Sequence, residues 1–236
     1  MTASVLAGLR WDPPPEIAVR GTVLVLPGRG EHPGVYERFG RRLAADGYAV
    51  RASGPPSPAH RLRAGDPDQA VAPLVLAGSD TGALRALALA HAAGAAGVIA
   101  AGTPWSAGSS PSLLGWDDEL EARTACPTHR SRLTGDGAFA RGALAAEVPA
   151  DLAAAVVPPE ITVPVLLIHG EADPVAPLAG VRRLAASLPR AELATVRDGR
   201  HDALNDITHR TVAAHVVQWL ERLRADPAAP AILTVS

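Results

Sequence analysis

The chain of 236 residues contains no lysine; all 22 of its basic side chains are arginine. Schiff-base chemistry and a phosphate-binding P-loop are thereby excluded, because both need a primary amine. Cysteine is nearly absent as well. With Cys126 alone, no internal disulfide can form and a cysteine-based zinc site lacks its second ligand. No histidine, cysteine and carboxylate cluster has ligand spacing either, so no metal and no other cofactor is expected. There is no excess of one charge: 22 basic against 24 acidic residues leave a formal net charge of -2, too little to gather nucleic acid or an anionic membrane. No uncharged apolar run is long enough to span a bilayer, and the opening MTASVLAGLRWDPPP lacks a basic segment followed by an apolar one. The expectation is a cytoplasmic protein without membrane insertion, whose partner is a small-molecule substrate; a homodimer stays open.

What is present is a core. Hydrophobic residues make up 47% of the chain, enough for one large α/β domain. Short apolar runs bounded by Gly and Pro alternate with helical stretches, the pattern of a mostly parallel sheet covered on both faces. The expected strands are 22–26, 48–52, 73–77, 97–100, 163–168 and 191–196. A helix over 35–46 buries Val35, Phe39 and Leu43, and one over 207–225 buries Val212, Val216, Trp219, Leu220 and Leu223, with Asn205 or Asp206 as its cap. The stretch 54–69 is too rich in Pro, Gly and charge for a helix to be expected. Residues 102–162 interrupt the alternation and read as a cap (lid) inserted into a core of 1–101 and 163–236. Within this cap 113–123 and 135–155 look helical, and Trp105 and Trp116 offer large apolar surface for substrate.

The chemistry is written in 74-LVLAGSDTGALRALALA-90, an apolar strand that turns through glycines into an Ala/Leu helix. This is the pattern of a nucleophile elbow, with Gly78-Ser79-Asp80-Thr81-Gly82 at its tip. Taking Ser79 as the apex puts Thr81 where the bend needs a very small residue and Gly82 one place late. Taking Asp80 as the apex satisfies both flanking glycines. Downstream stand 169-HGEADPVAP-177 and 199-GRHDALND-206, which supply Asp173 as an acid and His201 as a base in the order nucleophile, acid, histidine.

These segments resemble the α/β-hydrolase superfamily. The stretch 26-LPGRGEHPGVYERFGRRLAADGYAV-50 resembles the oxyanion loop of its monoacylglycerol lipase and lysophospholipase branch, whose motif is His-Gly-x-Gly-Glu-His, and 201–206 is similar to that branch's His-Glu-x-Leu-Asn-Glu. The resemblance implies an α/β-hydrolase fold, an oxyanion hole made by the backbone N–H groups of Arg29 and Thr81, and a substrate site near Gly28 and Ser79. Pro27 departs from the motif's first histidine. Asp80 departs from the usual serine and matches superfamily members such as haloalkane dehalogenases and epoxide hydrolases.

A carboxylate, with a reference pKa of about 3.9, is already ionised at neutral pH, and a helix N-terminus favours its charge by roughly 0.3–1 kcal/mol. It can attack without a base. On an sp³ carbon it forms an alkyl ester that water can cleave, with His201 activating the water and Asp173 orienting the imidazole. On an acyl carbon it would form a mixed anhydride, a much poorer intermediate. Neither subfamily's helpers are complete: Thr81 stands where dehalogenases commonly place Trp, and the only tyrosines, Tyr36 and Tyr48, lie outside the cap. The Arg29 side chain could hold an anionic leaving group or a substrate carboxylate, although an arginine there is more often just on the surface. The alternatives are a carboxylesterase, lipase or thioesterase using Asp80 as general base or Ser79 as nucleophile, and a lyase, cyclase or binding protein on the same fold.

Overall fold

Runs of Val, Leu, Ile and Ala between Gly or Pro cannot expose either face, and in the computed structural model, which describes residues 8–53, 70–105, 113, 115–226, 228, 230 and 232, they form the middle of one sheet. The strands are β1 (Leu9–Trp11), β2 (Gly21–Leu26), β3 (Tyr48–Ala52), β4 (Leu74–Ser79), β5 (Gly97–Ala101), β6 (Val165–Gly170) and β7 (Ala191–Val196). They lie in the order β1-β3-β2-β4-β5-β6-β7, all parallel except β1, which runs antiparallel to β3. The six expected strands fall within two residues of their predicted ends. β1 is an addition to them, because three half-exposed residues on a sheet edge carry no hydrophobic signal.

The strand order places the site. From β2 the chain moves outward to β3, then crosses back over β2 to β4 and continues the other way through β5, β6 and β7. The crevice beyond the carboxyl ends of β2 and β4 is therefore the switch point where open α/β sheets bind ligands. Arg29 follows β2 and Asp80 follows β4.

Helices α1 (Glu37–Ala45) and α7 (His209–Ala225) cover one face, burying Phe39, Leu43, Val216, Trp219 and Leu220 with the sheet's Val23, Val50 and Ile99. Helices α2 (Thr81–Leu89) and α6 (Leu178–Ser187) cover the other, where Leu84, Leu87, Val181 and Leu184 meet Leu76, Val98 and Leu167. Both predicted buried stripes are found, and Val35 is buried too, in the 3₁₀ turn Pro33–Tyr36 that precedes α1.

Between β5 and β6 the chain forms α3 (Trp116–Arg123), α4 (Pro127–Gly135), a 3₁₀ turn at Ala143–Ala145 and the short α5 (Ala150–Ala154). The single helix expected over 135–155 is thus corrected: Gly135 ends α4, and the alanines that suggest a helix are split by Gly142 at φ 81° and by Pro149. The expected cap of α7 is also corrected. Thr208 occupies the N-cap, and the Asp206 carboxylate instead accepts from Thr124 Oγ1, the Ala125 N–H and the Arg200 N–H at 2.7–2.9 Å. The Asn205 side-chain oxygen is buried without a hydrogen-bond partner, so it makes no cap either. The stretch 54–69 lies outside the described residues. Among the described residues no helix is long and apolar enough to cross a membrane, and no three potential ligands converge as a metal site.

Candidate active site

The elbow is tight enough to be read from its glycines. A Cβ on Gly78 would sit 2.1 Å from the Gly82 carbonyl oxygen, and one on Gly82 would sit 1.9 Å from that of Leu26. Both distances are impossible, so β4 and α2 approach each other and β2 only because these two positions are bare. Between them Asp80 takes φ 51° and ψ -126°, a backbone state that costs a non-glycine residue of order 1–3 kcal/mol and persists only where the surroundings impose it. The imposing bonds run from the Asp80 N–H to the Ala101 carbonyl at 3.0 Å and from the Ala83 N–H to the Asp80 carbonyl at 3.0 Å. Asp80 is therefore the apex.

Its carboxylate, 1% exposed, is held by one residue. The Arg29 backbone N–H and Nε each donate to Oδ2 at 2.8 Å, and Nη2 donates to Oδ1 at 2.7 Å. The Arg29 side chain is in turn fixed from the segment between β5 and β6: Nη1 donates to the Leu144 carbonyl at 3.1 Å and to that of Ala146. The sequence leaves the Arg29 side chain two places, the surface or an anion in the site, and it lies in the site, because a buried carboxylate attracts the nearest guanidinium.

His201 approaches from the loop after β7. Its Nδ1 pairs with Asp173 Oδ2 at 2.8 Å, and its Nε2 stands 3.4 Å from Asp80 Oδ1, an ion-pair contact rather than an aligned hydrogen bond. Asp173 is braced by the Val175 and Ala176 N–H groups, which donate to its Oδ1 at 2.8 and 3.0 Å. Behind it the buried His169 donates through Nε2 to the Ala176 carbonyl at 2.6 Å, and burial, the largest influence on that ring, pushes its pKa down and favours the neutral form. Gly102, at φ 52°, leaves room for the His201 backbone, since a Cβ there would lie 2.5 Å from the His201 carbonyl oxygen.

Electrostatics set the resting charges. Burial alone would raise the Asp80 pKa, but the close His201 and Arg29 cations outweigh it and hold the carboxyl well below the usual range. Burial alone would also strip the proton from His201, but the carboxylates of Asp173 and then Asp80 push its pKa up to about 10. Arg29, Asp80, His201 and Asp173 thus form a buried set of two cations and two anions.

Several residues that the sequence does not single out hold this set in place. Glu31 Oε2 accepts from the Gly28 N–H at 2.8 Å and from the Tyr36 hydroxyl, fixing the turn after β2. Burial and the Asp202 carboxylate raise the Glu31 pKa to about 7. Arg123, fully buried at the end of α3, donates to the Arg29 carbonyl at 2.7 Å and to Glu119 at 2.9 Å, and lies 3.4 Å from Asp202. Its own carbonyl accepts from the Asp202 N–H at 2.8 Å, so one residue ties the Arg29 loop to the His201 loop. Glu31 lies in the quoted GRGEH run and could have been found there; nothing in a polar helix marks Arg123 as buried. His129, to which the sequence assigns no role, is buried with Nε2 3.2 Å from Asp202 Oδ2.

The remaining candidates have local roles. Gly28 lies so close beneath the elbow that a Cβ would come within 2.7 Å of the Asp80 Cβ. Ser79 is buried as the last residue of β4, one position before the strained apex. Thr81 begins α2, so its N–H is among those that a helix leaves without an intrahelical acceptor. Trp116 packs on Phe139 with ring centroids 5.6 Å apart and carries the Arg141 guanidinium on its face, while Trp105 packs against the core cluster beneath α2.

A parallel sheet between two helical layers, with an elbow after β4, an acid after β6 and a histidine after β7, defines an α/β-hydrolase by fold. Proteins of similar shape include the monoacylglycerol lipase of Paleococcus ferrophilus, 21% identical over 92% of this chain and 99% of that one with a TM-score of 0.72. A soluble variant of the Saccharomyces cerevisiae monoglyceride lipase is 17% identical over 92% and 91% with a TM-score of 0.71. A carboxyl esterase of Bacillus coagulans is 18% identical over 92% and 94% with a TM-score of 0.70. The TAP-like protein family matches residues 143–230, which contain Asp173 and His201 but not Asp80. No curated protein matches the sequence.

Proposed function

We propose that the protein hydrolyses a small organic substrate through a covalent ester on Asp80. The observation that carries this reading is the arrangement around one carboxylate: Oδ2 accepts from the Arg29 N–H and Nε at 2.8 Å, while Oδ1 accepts from Arg29 Nη2 at 2.7 Å and lies 3.4 Å from His201 Nε2. Oδ1 attacks an sp³ carbon, and the bond to the leaving group breaks with its electron pair. Arg29, whose guanidinium has just lost its anionic partner, receives the departing anion. Esterification also removes one of the two carboxylates that hold the proton on His201, so the ring becomes a base only after the first step. It releases that proton to solvent, takes one from water, and the hydroxide adds to the Asp80 carboxyl carbon with the developing charge on Oδ2 at the Arg29 N–H and, by position, the Thr81 N–H. Collapse releases the alcohol, protonated by His201, and the proton left on the Asp80 carboxyl returns to His201, regenerating the carboxylate and the imidazolium. Residues 102–162 act as the cap, contributing the Leu144 and Ala146 carbonyls that steer Arg29.

Ester hydrolysis is a second reading, favoured by the lipases and esterase that share the fold. In it Asp80 would draw a proton from water. A carboxylate held below its usual pKa is a weak base for that task, and the place of Ser79 inside β4, with Asp80 at the positive-φ tip, argues against serine attack. A panel of haloalkanoates, epoxides, lactones and p-nitrophenyl esters separates the readings. Turnover of a haloalkanoate or epoxide that disappears in Asp80→Asn supports the covalent route. An Asp80→Ser variant with raised esterase activity, beside an Asp80→Asn variant equal to wild type, contradicts it.

A further inference from the structure

Between α1 and α7, on the face of the sheet they cover, lies a cavity of about 410 Å³ lined by Arg38, Phe39, Arg42, Leu204, His209, Arg210 and Ala213. Its floor is apolar: Phe39, Leu204 and Ala213 are all buried. Its rim is cationic, and none of its lining residues is acidic. Arg38 spends its hydrogen bonds on the Asn205 carbonyl and the Cys126 sulfur, at 2.6 and 3.4 Å, not on a carboxylate. Arg210 makes no ion pair among the described residues, and Arg42 meets only Asp46, at 3.2 Å in a half-exposed pair. The acids nearest in sequence are committed elsewhere: Glu37 to Arg41 and Arg132, Asp206 to the Thr124, Ala125 and Arg200 donors.

The same corner receives the N-terminus of α7, whose first turn holds no acidic residue and whose first two positions are His209 and Arg210. A helix start favours anions and disfavours cations. The protein therefore concentrates positive potential here, and only the Arg42 charge meets a carboxylate, that of Asp46. Burial pushes the His209 imidazole toward the neutral form; its hydrogen bond to the Asp206 carbonyl opposes this, and the nearby Arg38 and Arg210 cations add to the effect of burial.

We propose that this cavity binds an organic anion with an apolar body, a carboxylate on a short alkyl chain, with the head between Arg38, Arg42 and Arg210 and the chain against Phe39, Leu204 and Ala213. The proposal needs no assumption about the reaction at Asp80. It is tested by calorimetric titration of the full chain with octanoate, octanol, acetate and inorganic phosphate, repeated on an Arg42→Gln/Arg210→Glu double variant. Both positions are exposed, so the variant should fold, and its melting curve checks this. Octanoate should bind about tenfold or more tighter than each of the other three probes, and its affinity should fall about tenfold in the double variant. Octanol binding as tightly as octanoate, phosphate binding as tightly as octanoate, or an unchanged octanoate affinity in the variant would overturn the proposal.

Discussion

Arg29 meets Asp80 with three donors at once, the backbone N–H and Nε on Oδ2 at 2.8 Å and Nη2 on Oδ1 at 2.7 Å. The nucleophile of the proposed reaction is thus neutralised at rest by the residue that also supplies the hole. Removing one partner leaves an uncompensated buried charge, which typically costs about 3–5 kcal/mol. Arg29→Met should destabilise the fold by that order in urea unfolding. Arg29→Met combined with Asp80→Asn should recover a large part of the loss; strict additivity of the two single variants would show that the pair is not coupled.

The pH dependence of stability follows from the two shifted groups. The folded-state pKa of His201 is raised from 6.5 to about 10, so its contribution is complete below about pH 6.5 and is lost as pH rises toward 10. Asp80 is shifted the other way, so its contribution is present above the ordinary carboxylate range and is lost as pH falls through its depressed value. Unfolding measured across the alkaline window should give a declining stability for wild type and a flatter curve for His201→Gln. Parallel curves would mean that His201 carries no raised pKa.

Two glycines separate steric need from backbone need. Gly94 has φ 63° with nothing within 4 Å of where an added methyl would stand, so Gly94→Ala should cost about 1–2 kcal/mol, the strain of the left-handed conformation. Gly82 has ordinary φ, but its Cβ would meet the Leu26 carbonyl oxygen at 1.9 Å. Gly82→Ala should therefore cost at least about 3 kcal/mol, at or beyond the upper end for overpacking, because backbone rather than a flexible side chain must move. Thermal unfolding of the two variants checks the order.

Much of this is legible in the residues and some is not, for physical reasons. Buried parallel strands must be apolar along nearly their whole length, and β2, β4, β5 and β6 announce themselves that way, whereas the edge strand β7 is only partly buried. Gly78 and Gly82 name the apex because a single bend admits no Cβ on either side. What stays hidden depends on partners distant in sequence. The fork between Arg29 and Asp80 spans 51 positions, and Arg123 is buried only because Glu119, Asp202 and the Arg29 carbonyl surround it. Asp206 looks like a cap for α7 because it stands beside the helix start; in the fold three donors from the loops beside it take its carboxylate first. The alanines of 135–155 favour helix locally, but Gly142 at a positive φ and Pro149 break the run.

His201 is assigned to the second step alone, which makes its loss diagnostic. In His201→Gln the first step should proceed and the second stall, so an alkylated Asp80 peptide should accumulate with one equivalent of leaving group released. Mass spectrometry of the digested protein measures this. An unmodified Asp80 together with full loss of activity would move His201 into the first step.

The most direct measurement is a single turnover in oxygen-18 water with enzyme in excess, followed by mass analysis of the peptide carrying Asp80 and of the product. Ester formation on Asp80 predicts heavy oxygen in the Asp80 carboxylate and ordinary oxygen in the first-formed alcohol. Heavy oxygen in the product alone, with Asp80 unlabelled, would contradict it and assign Asp80 to activating water.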